Sequence, residues 1–143
     1  MKIGILTSSR ADYGIYRTLL KLLSKDDRFD LILIVFGMHL QPQHGSTVEF
    51  IKKDNFGIIH EVQGMPNKDS MKAISSGYGQ LINNFSSYWD LNKFDCVFAL
   101  GDRFEMSAAV QSGIPFEVFF AHIHGGETTF GAVDNIYRHQ IKH

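Results

Sequence analysis

At 143 residues the chain holds one domain's worth of sequence, enough to bury roughly two thirds of its unfolded surface in a single core. Fourteen basic against fifteen acidic side chains leave a formal charge of −1, which argues against a nucleic-acid groove or an anionic membrane surface and requires any phosphate to be held locally. Cys96 is the single cysteine and excludes an internal disulfide; with no secretion signal and no apolar stretch of bilayer length, the expectation is a soluble cytoplasmic protein.

The first element is a short β-rich run, Lys2-Ile3-Gly4-Ile5-Leu6-Thr7, ending in the polar stretch Ser8-Ser9-Arg10-Ala11-Asp12-Tyr13-Gly14. Apolar residues then recur at Ile15, Leu19, Leu20, Leu22 and Leu23 with the spacing of a helix. Residues 31–36 form a nearly continuous apolar run, as a strand covered on both faces requires. Ser46 and Glu49 predict a capping box that opens a short helix running through Lys53. A third strand is expected over 58–62, then a long helix from Ser70 to about Leu91, packed by Tyr78, Tyr88 and Trp89 and weakened in the middle by Gly77 and Gly79. The pattern continues with a strand over 97–100, a helix over 103–112, a strand over 115–122, and a last helix beginning at 134 with Ile136 and Ile141 as candidate buried residues. That helix has nothing in the sequence to pack against, so a further part of the protein is expected beyond it.

Strands alternating with helices at this spacing predict an α/β protein with a doubly wound parallel sheet. Ligands of such folds bind beyond the carboxyl ends of the strands, which here carry Ser9-Arg10-Ala11-Asp12, Gly37-Met38-His39, Gly64-Met65-Pro66, Gly101-Asp102-Arg103 and His122-Ile123-His124-Gly125-Gly126-Glu127. Neither G-x-G-x-x-G nor G-x-x-x-x-G-K-[ST] follows the first strand, which argues against an ordinary dinucleotide cofactor or a phosphate-loop nucleotidase.

Several polar residues at those ends admit two readings. Asp102, three residues before Glu105, is a helix N-cap with its reciprocal partner or a catalytic carboxylate; the two roles are compatible. Arg103 beside a helix N-terminus, and Arg10 with Asp12, are solvated charges or an anion clamp and a sugar ligand. His122 and His124 are spaced to share one face of a strand, as satisfied core histidines, as metal ligands completed by Glu127, Asp102 or His139, or as acid, base and hydrogen-bonding groups around a neutral sugar. Glu127 and Asp134 could cap the final helix, yet with Asp102 they make three carboxylates expected on one rim, where mutual repulsion would raise at least one pKa. His39 taken alone reads as a partly buried loop histidine.

In order and spacing, Ser9-Arg10-Ala11-Asp12-Tyr13, Gly37-Met38-His39-Leu40, Gly101-Asp102-Arg103-Phe104-Glu105, His122-Ile123-His124-Gly125-Gly126-Glu127 and Asp134-Asn135-Ile136-Tyr137-Arg138-His139 resemble the hydrolysing UDP-N-acetylglucosamine 2-epimerases of sialic-acid and legionaminic-acid biosynthesis. The resemblance implies the GT-B architecture, with residues 1–143 as the N-terminal Rossmann-like domain and a C-terminal nucleotide-binding domain absent from this chain. It implies elimination of UDP across C1 and C2 of the sugar, then addition of water with inversion at C2 to release N-acetylmannosamine, without cofactor or metal. Carried over by motif, Asp102 and Asp134 match carboxylates assigned to proton transfer, and Arg10, Asp12, His39 and Arg103 match substrate-binding or site-shaping positions; His122 joins that binding set. His124 stands where some members carry glutamate, so either it or Glu127 takes that acid-base role. Asp134-Asn135, where many members have two aspartates, fits the branch that acts on a 2,4-diacetamido-trideoxy sugar carried on UDP or GDP. A homo-oligomer is expected, with a nucleotide sugar as the ligand and neither nucleic acid nor membrane as partner. The rival readings are a metal-dependent hydrolase using His122 and His124, and a non-catalytic sugar-nucleotide-binding domain.

Overall fold

The computed structural model describes residues 1–127 and 133–142, except the side chain of residue 142. Five strands form one all-parallel sheet: β1 (Lys2–Thr7), β2 (Asp30–Val35), β3 (Ile58–Glu61), β4 (Cys96–Leu100) and β5 (Phe120–Ile123), in the order β3-β2-β1-β4-β5. The helices are α1 (Arg10–Leu23), α2 (Val48–Asp54), α3 (Met71–Leu91), α4 (Phe104–Gly113) and α5 (Asp134–Lys142). The apolar run of β2 divides between two cores, as a sheet covered on both faces demands. Leu31, Leu33 and Val35 pack with Tyr16, Leu20 and Ile51 of α1 and α2, while Ile32 and Ile34 pack with Leu81, Phe85, Trp89 and Met106 of α3 and α4.

The strand order fixes where chemistry can sit. The chain builds outward from β1 through β2 to β3, then returns to the other side of β1 to lay down β4 and β5. At that reversal the connections leaving β1 and β4 diverge to opposite faces, opening a crevice at their carboxyl ends. Residues 8–10 and 101–103 therefore flank the crevice. Among the described residues no helix is long and apolar enough to cross a membrane.

The element boundaries differ from the sequence reading in instructive ways. α1 begins at Arg10, five residues earlier than the apolar period indicates, because the Ser9 hydroxyl accepts from the Asp12 amide and the Asp12 carboxylate accepts from the Ser9 amide, a complete capping box. The box expected at Ser46 and Glu49 does not form: Thr47 is the N-cap of α2 and makes no side-chain capping bond. The expected fifth strand is shorter, since Ile114–Phe116 is a 3₁₀ turn with Pro115 near its start. Gly77 does not break α3; it lets Pro66 lie against the helix, where a Cβ would come within 2.6 Å of the proline ring. In α5, Ile141 is buried as expected, but Ile136 is exposed and Arg138 takes the inward position.

Candidate functional site

The exit of β1 is closed and saturated with hydrogen bonds. Asp12 accepts from the Thr7 hydroxyl at 2.5 Å, the Ser8 amide at 2.9 Å, the Ser8 hydroxyl at 3.0 Å and the Ser9 amide at 3.1 Å. The His39 ring, fully buried after β2, reaches the same Thr7 oxygen through Nε2 at 2.9 Å and Thr47 through Nδ1 at 2.6 Å. Proton counting fixes the direction of this chain. Thr7 has one hydroxyl proton and gives it to Asp12, so His39 Nε2 must donate to Thr7. Burial alone would push the Asp12 carboxyl up, but the His39 ring, the Thr7 hydroxyl and the Ser8 amide outweigh it and hold the pKa below the usual aspartate value. Asp12 and His39 thus lie beneath the crevice floor and shape it from inside.

Arg10 and Arg103 sit above them. Arg10 stacks over Phe50, with 5.7 Å between guanidinium and ring centre, and together with Arg103, Ser9, Met38 and His44 it lines a cavity of about 300 Å³. The Arg103 Nε donates to Glu105 Oε1 at 2.5 Å, and that oxygen lies 3.4 Å from the Ser8 hydroxyl, whose one proton points to the nearer Asp12. Glu105 is fully buried and anchors Arg103 from below through Oε1, while its Oε2 has no partner among the described residues.

Asp102 is not the cap of α4. Arg103 holds the N-cap position and makes no side-chain capping bond, while the Asp102 carboxylate is taken by the Arg138 guanidinium from α5. His122, on β5, donates through Nε2 to the Gly101 carbonyl at 2.7 Å, and the Gly101 amide donates back to the Ile123 carbonyl at 3.2 Å. Burial keeps the His122 pKa below its usual value; the charges of Arg138 and His124 push the same way. Its Nδ1 is buried without a partner among the described residues, packed so closely on Gly125 that a Cβ there would stand 2.6 Å away.

His124 departs from the expected strand geometry. β5 ends at Ile123, and His124 turns into the left-handed region with φ 61°, so the two histidines do not continue one strand face. His124 Nδ1 donates to the Glu127 carboxylate, which leaves Nε2 as the nitrogen able to accept or deliver a proton. That bond holds the Glu127 pKa below the usual value. Each carboxylate has a basic neighbour: Asp102 meets Arg138, Glu127 meets His124, and Asp134 lies near Arg103. Asp134 opens α5 and lines a cavity of about 460 Å³ with Arg103, Phe104, Gln41, Met65 and Asn67. Asp134 and Phe104 also border an apolar cavity of about 660 Å³ between α3 and α5.

Among the described residues no three His, Cys, Asp or Glu side chains gather as a metal-binding group. The rim is a set of paired charges around open volume. Two participants escaped the sequence reading. Glu105 was legible only as a capping partner, and Arg138 only as part of a motif; S-x-x-D at Ser9 to Asp12 did carry a signal for the capping box.

Residues 21–143 match the UDP-N-acetylglucosamine 2-epimerase family. A polysialic acid biosynthesis protein of Escherichia coli is 37% identical over 140 residues, covering 98% of this chain and 36% of its own length. A hydrolysing UDP-N,N′-diacetylbacillosamine 2-epimerase of Legionella pneumophila is 36% identical, covering 98% of this chain and 37% of its own. The UDP-GlcNAc 2-epimerase of Neisseria meningitidis, crystallised with UDP-GlcNAc, superposes with a TM-score of 0.78 at 16% identity over 99% of this chain and 38% of that one, a likeness of fold. The chain thus spans a little over a third of the length of these relatives, corresponding to their N-terminal part. With the family match running from residue 21 through residue 143, the chain belongs to the UDP-N-acetylglucosamine 2-epimerase family.

Proposed function

We propose that this chain is the N-terminal Rossmann-like domain of a cytoplasmic, metal-independent, hydrolysing nucleotide-sugar 2-epimerase that works as a homo-oligomer. A C-terminal nucleotide-binding domain completes its cleft. The substrate is UDP-N-acetylglucosamine or a related diacetamido sugar on UDP or GDP. The reading rests on one observation: Arg103 and Asp134, far apart in sequence, line a single cavity at the carboxyl edge of the sheet, beside the strand end that carries Asp102.

The chemistry begins with removal of the C2 proton and cleavage of the C1–O bond, releasing the nucleoside diphosphate and leaving a C1=C2 double bond. Water then adds, its hydroxyl to C1 and a proton to C2 from the opposite face, giving the free manno-configured sugar. The C2 proton is weakly acidic, so a positioned base, an acid and charge stabilisation of the leaving group are all needed. Asp102 and Asp134 serve in proton transfer, and the His124–Glu127 pair supplies the further acid-base group. Arg10 and Arg103 hold the substrate side of the cleft; His122 supports the backbone that leads into Asp102, and Asp12 and His39 shape the cleft from below.

The test incubates the full-length protein with UDP-N-acetylglucosamine, then with the UDP- and GDP-linked diacetamido sugars, in deuterium oxide with a chelator, followed by proton NMR. The expected result is a manno-configured product deuterated at C2 together with free diphosphate. Turnover that appears only on adding metal, or none on any of the three sugars, overturns the reading.

A further inference from the structure

Arg138 is a charged side chain where an apolar one would pack. Its side chain is 7% exposed, its Nη2 donates to Asp102 Oδ2, and its Nε and Nη1 are buried without partners among the described residues. Burying a guanidinium with donors unmet is costly, and replacing a buried ion pair by apolar residues is often stabilising. Nor does α5 need Arg138 in order to dock. Ile141 already lies in the core shared with α3 and α4, Ser107 donates to Gln140 at 3.0 Å, and Gln111 donates to the Gln140 carbonyl at 2.5 Å. The charge is therefore retained for what it holds.

What it holds is the carboxylate at the end of β4. Asp102 stands at the carboxyl end of β4 with its side chain still 22% exposed, while one oxygen is fixed from within. From the other side, His122 fixes the preceding carbonyl, Gly101. We infer that Arg138 is a positioning residue for Asp102, setting the carboxylate's orientation toward the sugar while His122 sets the backbone that carries it. This rests on the reading of the site as a 2-epimerase centre. A carboxylate that must take a proton from a carbon acid gains most from being held in one orientation, since a small misplacement costs orders of magnitude in rate.

The test compares Arg138→Met, Arg138→Lys, Asp102→Asn and the Asp102→Asn/Arg138→Met double variant in the full-length protein. With the active sugar, Arg138→Met is expected to lower kcat about 100-fold with KM within about threefold, as loss of an interaction that matters in the transition state does. Arg138→Lys, which keeps a donor for Asp102, is expected to recover at least tenfold of that loss. An unchanged kcat in Arg138→Met, a loss confined to KM, or equal losses in the Met and Lys variants overturns the inference. Thermal unfolding of the same set needs no substrate: Arg138→Met should lower Tm more with Asp102 present than in the Asp102→Asn background. If no sugar is turned over, the epimerase reading fails by itself, and equal Tm shifts in the two backgrounds would overturn the ion pair independently.

Discussion

The exits of β1 and β4 lie side by side at the crevice, and they are built to opposite specifications. At β1 the buried polar groups are met: Asp12, Thr7, Ser8, Ser9, His39 and Thr47 form one directed network. At β4 and β5 they are not, because among the described residues Arg138 Nε and Nη1 and His122 Nδ1 are buried without partners while Asp102, His124 and Glu127 remain accessible. A saturated network rigidifies, and exposed titratable groups are what a reaction can use. On the proposed function, one exit is the frame and the other is the working edge.

Asp12→Ala should break that contrast most severely. It strips an acceptor from Thr7, Ser8 and Ser9 and removes the α1 capping box, so a loss on the order of 3 kcal/mol or more is expected in urea unfolding of the protein. The wild-type protein should show the same group in its acid limb. The folded-state pKa of Asp12 is depressed, so its stabilisation is fully present above the unfolded-state value of 3.8 and is lost as pH falls from there through the lower folded value. Asp12→Asn should flatten that part of the stability-against-pH curve; an unchanged slope would mean that other carboxylates carry it.

The order of strands and helices was legible because a parallel sheet covered on both faces writes its strands as continuous apolar runs. The site was legible only in part, and the pattern S/T-x-x-D/E shows why. It occurs at Ser9 to Asp12, where it is a real capping box, and at Ser46 to Glu49, where it is not. Next to Ser46, the Thr47 hydroxyl is bonded to His39 instead, a partner eight residues away that no local rule contains. Asp102 failed as a cap for the same kind of reason, since its partner is 36 residues on. The face that α5 turns inward was not legible either: apolar spacing pointed to Ile136 as well as Ile141, whereas Arg138 and Ile141, three apart on one helical face, are the buried pair.

Gly125→Ala tests the working edge directly. Its Cβ would press on His122 Nδ1 at 2.6 Å, and the ring cannot retreat without releasing the Gly101 carbonyl. Overpacking of this kind costs about 1–3 kcal/mol. Because the displaced group is the support of the Asp102 backbone, kcat should fall more than stability does. A variant that is destabilised yet turns over normally once folded would separate His122 from the chemistry and blunt the contrast between the two exits.

The smallest effect expected is also of opposite sign. Tyr16, one turn beyond Asp12 on α1, is 1% exposed, and its hydroxyl has no partner among the described residues. Burial, aided by the nearby Asp12 charge, pushes the phenol's pKa well above its ordinary value, so it remains neutral, but a neutral unpaired hydroxyl is still costly to bury. Replacing it with phenylalanine keeps the ring that packs against β1 and β2 and removes only the unmet oxygen. Tyr16→Phe should therefore stabilise the protein by roughly 0.5–1.5 kcal/mol, read as a rise in urea midpoint at constant m-value. A loss of similar size would show that the hydroxyl is bonded in solution, making the β1 exit more fully saturated; a gain would locate its one internal flaw on α1, away from the crevice.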